Sequence, residues 1–226
     1  MGTPSPPLVL PRGLIFLASL WLVGSWLITI GLRTPIQPVS ASYTPSVRMM
    51  LLCVMIGLMI GWPLLRLSQR TVAHPVGQTL LDLVVLLALT QVVVWPLRLV
   101  TPWSITRTAA IDLTMMSWVV LAGAIVASAV GSDRAGVRSL AMLACLGLCL
   151  LGPALASVGA TTGVDASTLI ALSPLMAVHT LGEGGGAQPL ADQWRWIMFL
   201  AFGAVAVWAV LLLATCFTPA RPRPEH

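Results

Sequence analysis

Twenty consecutive uncharged residues, Gly13 to Leu32, restrict this chain more than any other feature. A helix over that run, at about 1.5 Å per residue, reaches about 30 Å, the thickness of a bilayer's hydrocarbon core. Further apolar runs of similar length lie at about 49–67, 79–100, 109–130, 139–158 and 194–217. In lipid every backbone N–H and C=O must find its partner within the protein, which leaves α-helices or a closed barrel. Barrel strands alternate in polarity over roughly 10 residues. These runs do not alternate, so helices are expected. The 226 residues are 58% hydrophobic and 8% charged, with a mean hydropathy of +0.95. Soluble domains carry about 25% charged residues, so this chain cannot clothe a water-facing surface. The expected fold is an all-α membrane protein, a bundle of about six transmembrane helices in a single domain over 13–217.

The segments between these runs are polar and rich in proline. Residues 1–12 carry no helical pattern and read as a disordered cytoplasmic N-terminus, and 218–226 as a basic cytoplasmic tail. The first run could pass for a signal peptide, but it is too long for a typical apolar core and lacks an A-x-A-like cleavage site. It reads as a retained span. Gly57 and Gly61 form a GxxxG pair, which permits close backbone approach. Pro96 and Pro153 fall late in their spans, where each is expected to kink the helix. The apolar stretch 166–181 holds Pro174 near its middle and precedes the glycine-rich GEGGG. At that length it suits a re-entrant or interfacial segment before the last span better than a full crossing.

All twelve basic residues other than histidine are arginines, scattered between apolar runs. They form no patch that would hold nucleic acid; their expected role is orienting the chain in the bilayer. With both termini cytoplasmic, Arg12, Arg66, Arg70, Arg134, Arg138, Arg221 and Arg223 lie inside. Arg33, Arg48, Arg98, Arg107 and Arg195 then lie outside. Seven against five favours that orientation, and the expected location is a bacterial inner membrane.

Residues able to carry chemistry are few. His74 lies in a loop, His179 near the end of the 166–181 segment and His226 at the terminus, so none falls in mid-span. No HExxH, GxSxG or carboxylate cluster is present, and no catalytic, cofactor or metal site is expected. Cys145 and Cys149 share a helix face without the further ligands a tetrahedral zinc site needs, and read as small packing residues. Asp82 and Asp112 each fall three or four residues inside a run. Ionisable groups there are functional candidates, although a carboxylate in the first turn also suits the helix dipole. Trp62, Trp95, Trp103, Trp194 and Trp196 lie near run ends, where an interfacial aromatic belt is expected. Trp21, Trp26, Trp118 and Trp208 lie deeper and read as packing residues.

Two stretches bring a family into view. IVASAVGSDRAGVRSLAMLACLGLCLLGPALASVG (125–159) resembles a small-residue fourth span, a short basic connector and a proline-ended fifth span of the ABC-2-type exporter permeases. ALSPLMAVHTL (171–181) is similar to the S/N-P segment before the last span of that family. The resemblance covers about a fifth of the chain and implies six spans with cytoplasmic termini. It also implies a second permease unit, a separate ATPase subunit and transport by alternating access. The chain has no GxxxxGK[ST] loop with which to bind ATP itself. The family's first cytoplasmic loop usually carries acidic residues, where this chain has RLSQRTVAHPVGQ. On the resemblance, Arg66, Gln69, Arg70 and His74 would contact the ATPase. Arg66 and Arg70 could equally anchor the helix end by snorkelling. The alternative function is a non-catalytic membrane subunit that anchors or assembles a larger complex.

Overall fold

The computed structural model describes residues 11–32, 40–69, 74–162 and 173–217. The tail 218–226, most of the 1–12 segment, Arg70 and the 166–172 part of the apolar segment lie outside the described residues. Among the described residues every regular element is a helix. Helix α1 (Arg12–Trp26) continues into a π-turn (Leu27–Gly31), and α2 (Ser40–Ile56) runs through a second π-turn (Gly57–Gly61) into α3 (Trp62–Ser68). Then come α4 (Pro75–Leu97), α5 (Ile105–Val130), α6 (Ala135–Thr162), α7 (Pro174–Glu183) and α8 (Ala191–Phe217). Six of the continuous helical segments are long and apolar enough to cross a membrane. The chain is a multi-pass helical membrane bundle.

Helix α5 is its axis: 67% of its most apolar window is buried, against 22% for α1, α6 and α8. Val119, Ala122, Ala124 and Val126 of α5 are buried, and the Trp208 indole of α8 donates to Val120 O at 2.8 Å. Phe199, Phe202, Val205 and Val210 of α8 lie outward. So large an apolar exterior would be a liability in water; lipid tails solvate it.

Four helices begin at least four residues earlier than hydropathy predicts. Span two, expected from Met49, starts at Ser40, and those expected from 79, 109 and 139 start at Pro75, Ile105 and Ala135. Hydropathy follows the apolar window, whereas helices extend as far as their polar residues find partners. Pro75 stands at the first helical position, where its missing N–H is no loss. The Ser104 hydroxyl accepts from Arg107 N–H at 3.2 Å and caps α5. Asp82 and Asp112 therefore each stand seven residues, about 10 Å, beyond the start of their helices. That is past the first turn, so the dipole does not account for them.

The GxxxG pair coincides with the second π-turn. Only Gly57 meets another helix: a Cβ there would come within 2.3 Å of the Trp21 indole nitrogen, whereas Gly61 faces open space. The Trp21 indole donates to Cys53 O at 2.9 Å, the carbonyl that an unbroken α-helix would give to Gly57 N–H. Trp21 and Trp26, expected to pack inside, are about half exposed, whereas Trp62 and Trp103, assigned to the interfacial belt, are buried. Trp118, Trp208, Cys145 and Cys149 are buried as packing residues.

Candidate functional site

Polar groups gather at the two ends of the bundle. At one end α3 leads through residues 69–74 into α4. For Arg66 the resemblance implies a contact with a partner across this connector and the alternative is snorkelling at the helix end; in the structure its side chain turns toward α4, and only 11% of it is exposed. Its Nε lies 3.0 Å from Oδ2 of Asp82, a carboxylate buried within α4. The contact is Coulombic, since the N–H points off the line to Oδ2; the guanidinium's hydrogen bond runs from Nη1 to Gln69 Oε1 at 2.9 Å. The Gln78 amide, one turn before Asp82, donates to Oδ1 at 3.3 Å. Asp82, a functional candidate by its depth, is thus the counter-charge of Arg66. Gln69 and His74 are exposed, and His74 occupies the N-cap position of α4 without a side-chain cap. At the same end Arg138 of α6 reaches back to Val130 O at 3.3 Å, the cation at a helix C-terminus that the dipole favours.

At the other end lies α7. Its 10 residues reach about 15 Å, half of a hydrocarbon core, so it cannot cross by itself. It packs against α2, α5 and α6. Its entry depends on a proline in another helix. Pro153 has no N–H, which frees the carbonyl four residues back in α6, Cys149 O. The Ser173 hydroxyl donates to that carbonyl at 3.2 Å, and both residues are fully buried. Gly152 makes the approach possible, because a Cβ there would stand 2.2 Å from the Ser173 Cβ.

The exit of α7 is held by an arginine. The last carbonyls of a helix lack intrahelical donors, and Arg107 of α5, 4% exposed, supplies one to α7 and another to the turn that follows it. Its Nη1 donates to Leu181 O at 2.6 Å and its Nε to Ala187 O at 2.7 Å. The Trp103 indole donates to Gly182 O at 3.3 Å. Arg48 of α2 completes the docking: Nη2 donates to Glu183 Oε1 at 2.7 Å and lies 2.7 Å from His179 Nε2. Arg48 and Arg107, expected only to orient the chain, are structural partners of α7. Hydropathy leaves Arg107 before a span expected from 109; only the start at Ile105 puts this cation in the first turn, where it opposes the dipole and needs acceptors elsewhere. No local pattern points to Ser173, because its acceptor lies 24 residues away in another helix.

Near this end α4 and α5 share a second polar contact. The Gln91 amide donates to Asp112 Oδ1 at 2.7 Å and its carbonyl accepts from the Trp95 indole at 2.7 Å. Among the described residues no arginine or histidine pairs with Asp112. Nor do three or more His, Cys, Asp or Glu side chains gather into a group that could hold a metal ion. Compared with known proteins, the chain matches no family model, no curated protein and no solved structure.

Proposed function

We propose that this chain is the membrane-spanning permease subunit of an ATP-driven exporter, paired with a second permease unit and served by a separate ATPase subunit. The observation that supports the reading is α7. A half-length helix precedes the last span and is docked at both ends by groups from three different helices. Irregular backbone at membrane depth is tolerated where it is buried in protein or lines a cavity, and such elements recur beside translocation paths. On this reading both termini are cytoplasmic in a bacterial inner membrane, and the 69–74 connector meets the ATPase. Arg70 and His74 then carry that contact more than Arg66, whose charge is matched within the bundle.

The Arg66–Asp82 pair favours a second reading, a non-catalytic anchoring or assembly subunit, because it withdraws charge from the surface where coupling would occur. Isolating the C-terminally tagged chain from its native host in mild detergent separates the two. Recovery of a P-loop ATPase at near equal amounts, lost on Arg70→Glu, supports the permease. Recovery of other membrane subunits alone, or of an ATPase that ignores Arg70→Glu, defeats the coupling assignment and leaves the anchoring reading.

A further inference from the structure

Helix α1 rests on α2 and α4 but leaves two grooves beside it, of about 590 and 750 Å³. The first follows α1 from Leu14 to Leu22 and the second from Leu22 to Gly31, so the two meet near its middle. Each covers about 12–14 Å of helix, close to half of a hydrocarbon core and thus to one leaflet.

The first groove is the more informative. Leu14 and Trp21 of α1, Gly57 and Leu65 of α2–α3, Leu89 of α4 and Met142 of α6 line it. Its hydroxyls are already committed, Ser68 to Leu65 O and Thr90 to Leu86 O, and the Trp21 indole to Cys53 O, while the unpartnered Trp62 indole N–H is buried out of the groove's reach. A polar ligand would find nothing to bind there, and an apolar chain nothing to desolvate. The end at Leu14 has the opposite character. Arg12, the first residue of α1, is exposed, and among the described residues no carboxylate pairs with it. Pro11 at the N-cap offers no side-chain acceptor, and among the described residues no side chain caps the first N–H groups of α1, the kind of helix end that attracts an anion.

We propose that this groove is a phospholipid site: one acyl chain lies along Leu14–Leu22, and the phosphate sits at the N-terminus of α1 beside Arg12, with a preference for anionic headgroups. The site stands or falls apart from any ATPase. The second groove belongs to the opposite leaflet and has no part in the claim.

Gly61 makes the test clean, because it lines the groove and a Cβ there meets no atom within 4 Å. Gly203 of α8 also faces open space, away from the groove, and serves as the control. The full chain is purified in detergent, equilibrated with equal phosphatidylglycerol and phosphatidylcholine, and its retained lipid counted by native mass spectrometry. The wild type and Gly203→Leu should each keep one phosphatidylglycerol. Gly61→Leu should keep about tenfold less, a loss of about 1.4 kcal/mol, with unchanged helicity. Arg12→Gln should retain both lipids alike. Equal retention by Gly61→Leu and wild type overturns the site, and an unchanged headgroup preference in Arg12→Gln overturns the phosphate position.

Discussion

The two ends of the bundle face one problem and answer it differently. Both bring arginine side chains out of water, where an uncompensated charge costs several kcal/mol. At the 69–74 end Arg66 meets a carboxylate of the adjacent helix, charge against charge. At the other end Arg107 meets no carboxylate among the described residues and is matched by the carbonyls of Leu181 and Ala187. The buried carboxyl at that end, Asp112, is matched by a neutral amide, and the Arg48–Glu183 ion pair there lies at the exposed rim. The first arrangement fastens two long neighbouring helices that would pack together anyway. The second makes a short helix a condition for burying Arg107, so that α7 and the guanidinium hold each other in place. The first end is therefore a closed clasp, and the second a docking that can be undone as a unit.

Three substitutions, two of them followed by a second in the same chain, would break or sharpen this contrast. Removing one partner of a buried ion pair strands the other, so Asp82→Leu should destabilise the chain by about 3–5 kcal/mol. Adding Arg66→Met should recover most of that loss, as read by denaturant unfolding in micelles. Equal stability of the single and double variants would mean that the pair is not desolvated. Arg107→Ala should cost about 2–3 kcal/mol, through two charged hydrogen bonds and the carbonyls left behind. Its mark is local: amide exchange should rise across 174–187 and stay unchanged near Asp82. Uniform exchange across both ends would refute a separately releasable α7. The smallest effect belongs to Ser173→Ala, about 1 kcal/mol, for the orphaned Cys149 carbonyl. Pro153→Ala in the same chain should return part of it, since the restored N–H can serve Cys149 O. No rescue would show that the hydroxyl acts otherwise than by replacing the missing donor.

Much of this architecture was legible before any coordinates. The length of the apolar runs settles helices and their number, because lipid demands internal backbone pairing and the bilayer sets the span. The shortness of the 166–181 stretch and its central proline likewise mark an element that does not cross, and the structure shows a 10-residue helix there. Those are local properties, carried by composition, spacing and the rigidity of proline.

Partners of the polar residues are another matter. Arg48, Arg66 and Arg107 look alike in the sequence, each a cation at the edge of an apolar run, and one rule about orientation covers all three. Only the packed bundle assigns Arg66 to Asp82, Arg107 to the end of α7, and Arg48 to His179 and Glu183. The same holds for Trp103, whose position near a run end suggests a lipid headgroup and whose indole in fact serves Gly182 O. A chain's hydropathy records how much of it lipid can solvate. Which donor meets which acceptor depends on residues far apart in sequence and a few ångströms apart in space, and only the tertiary structure decides that.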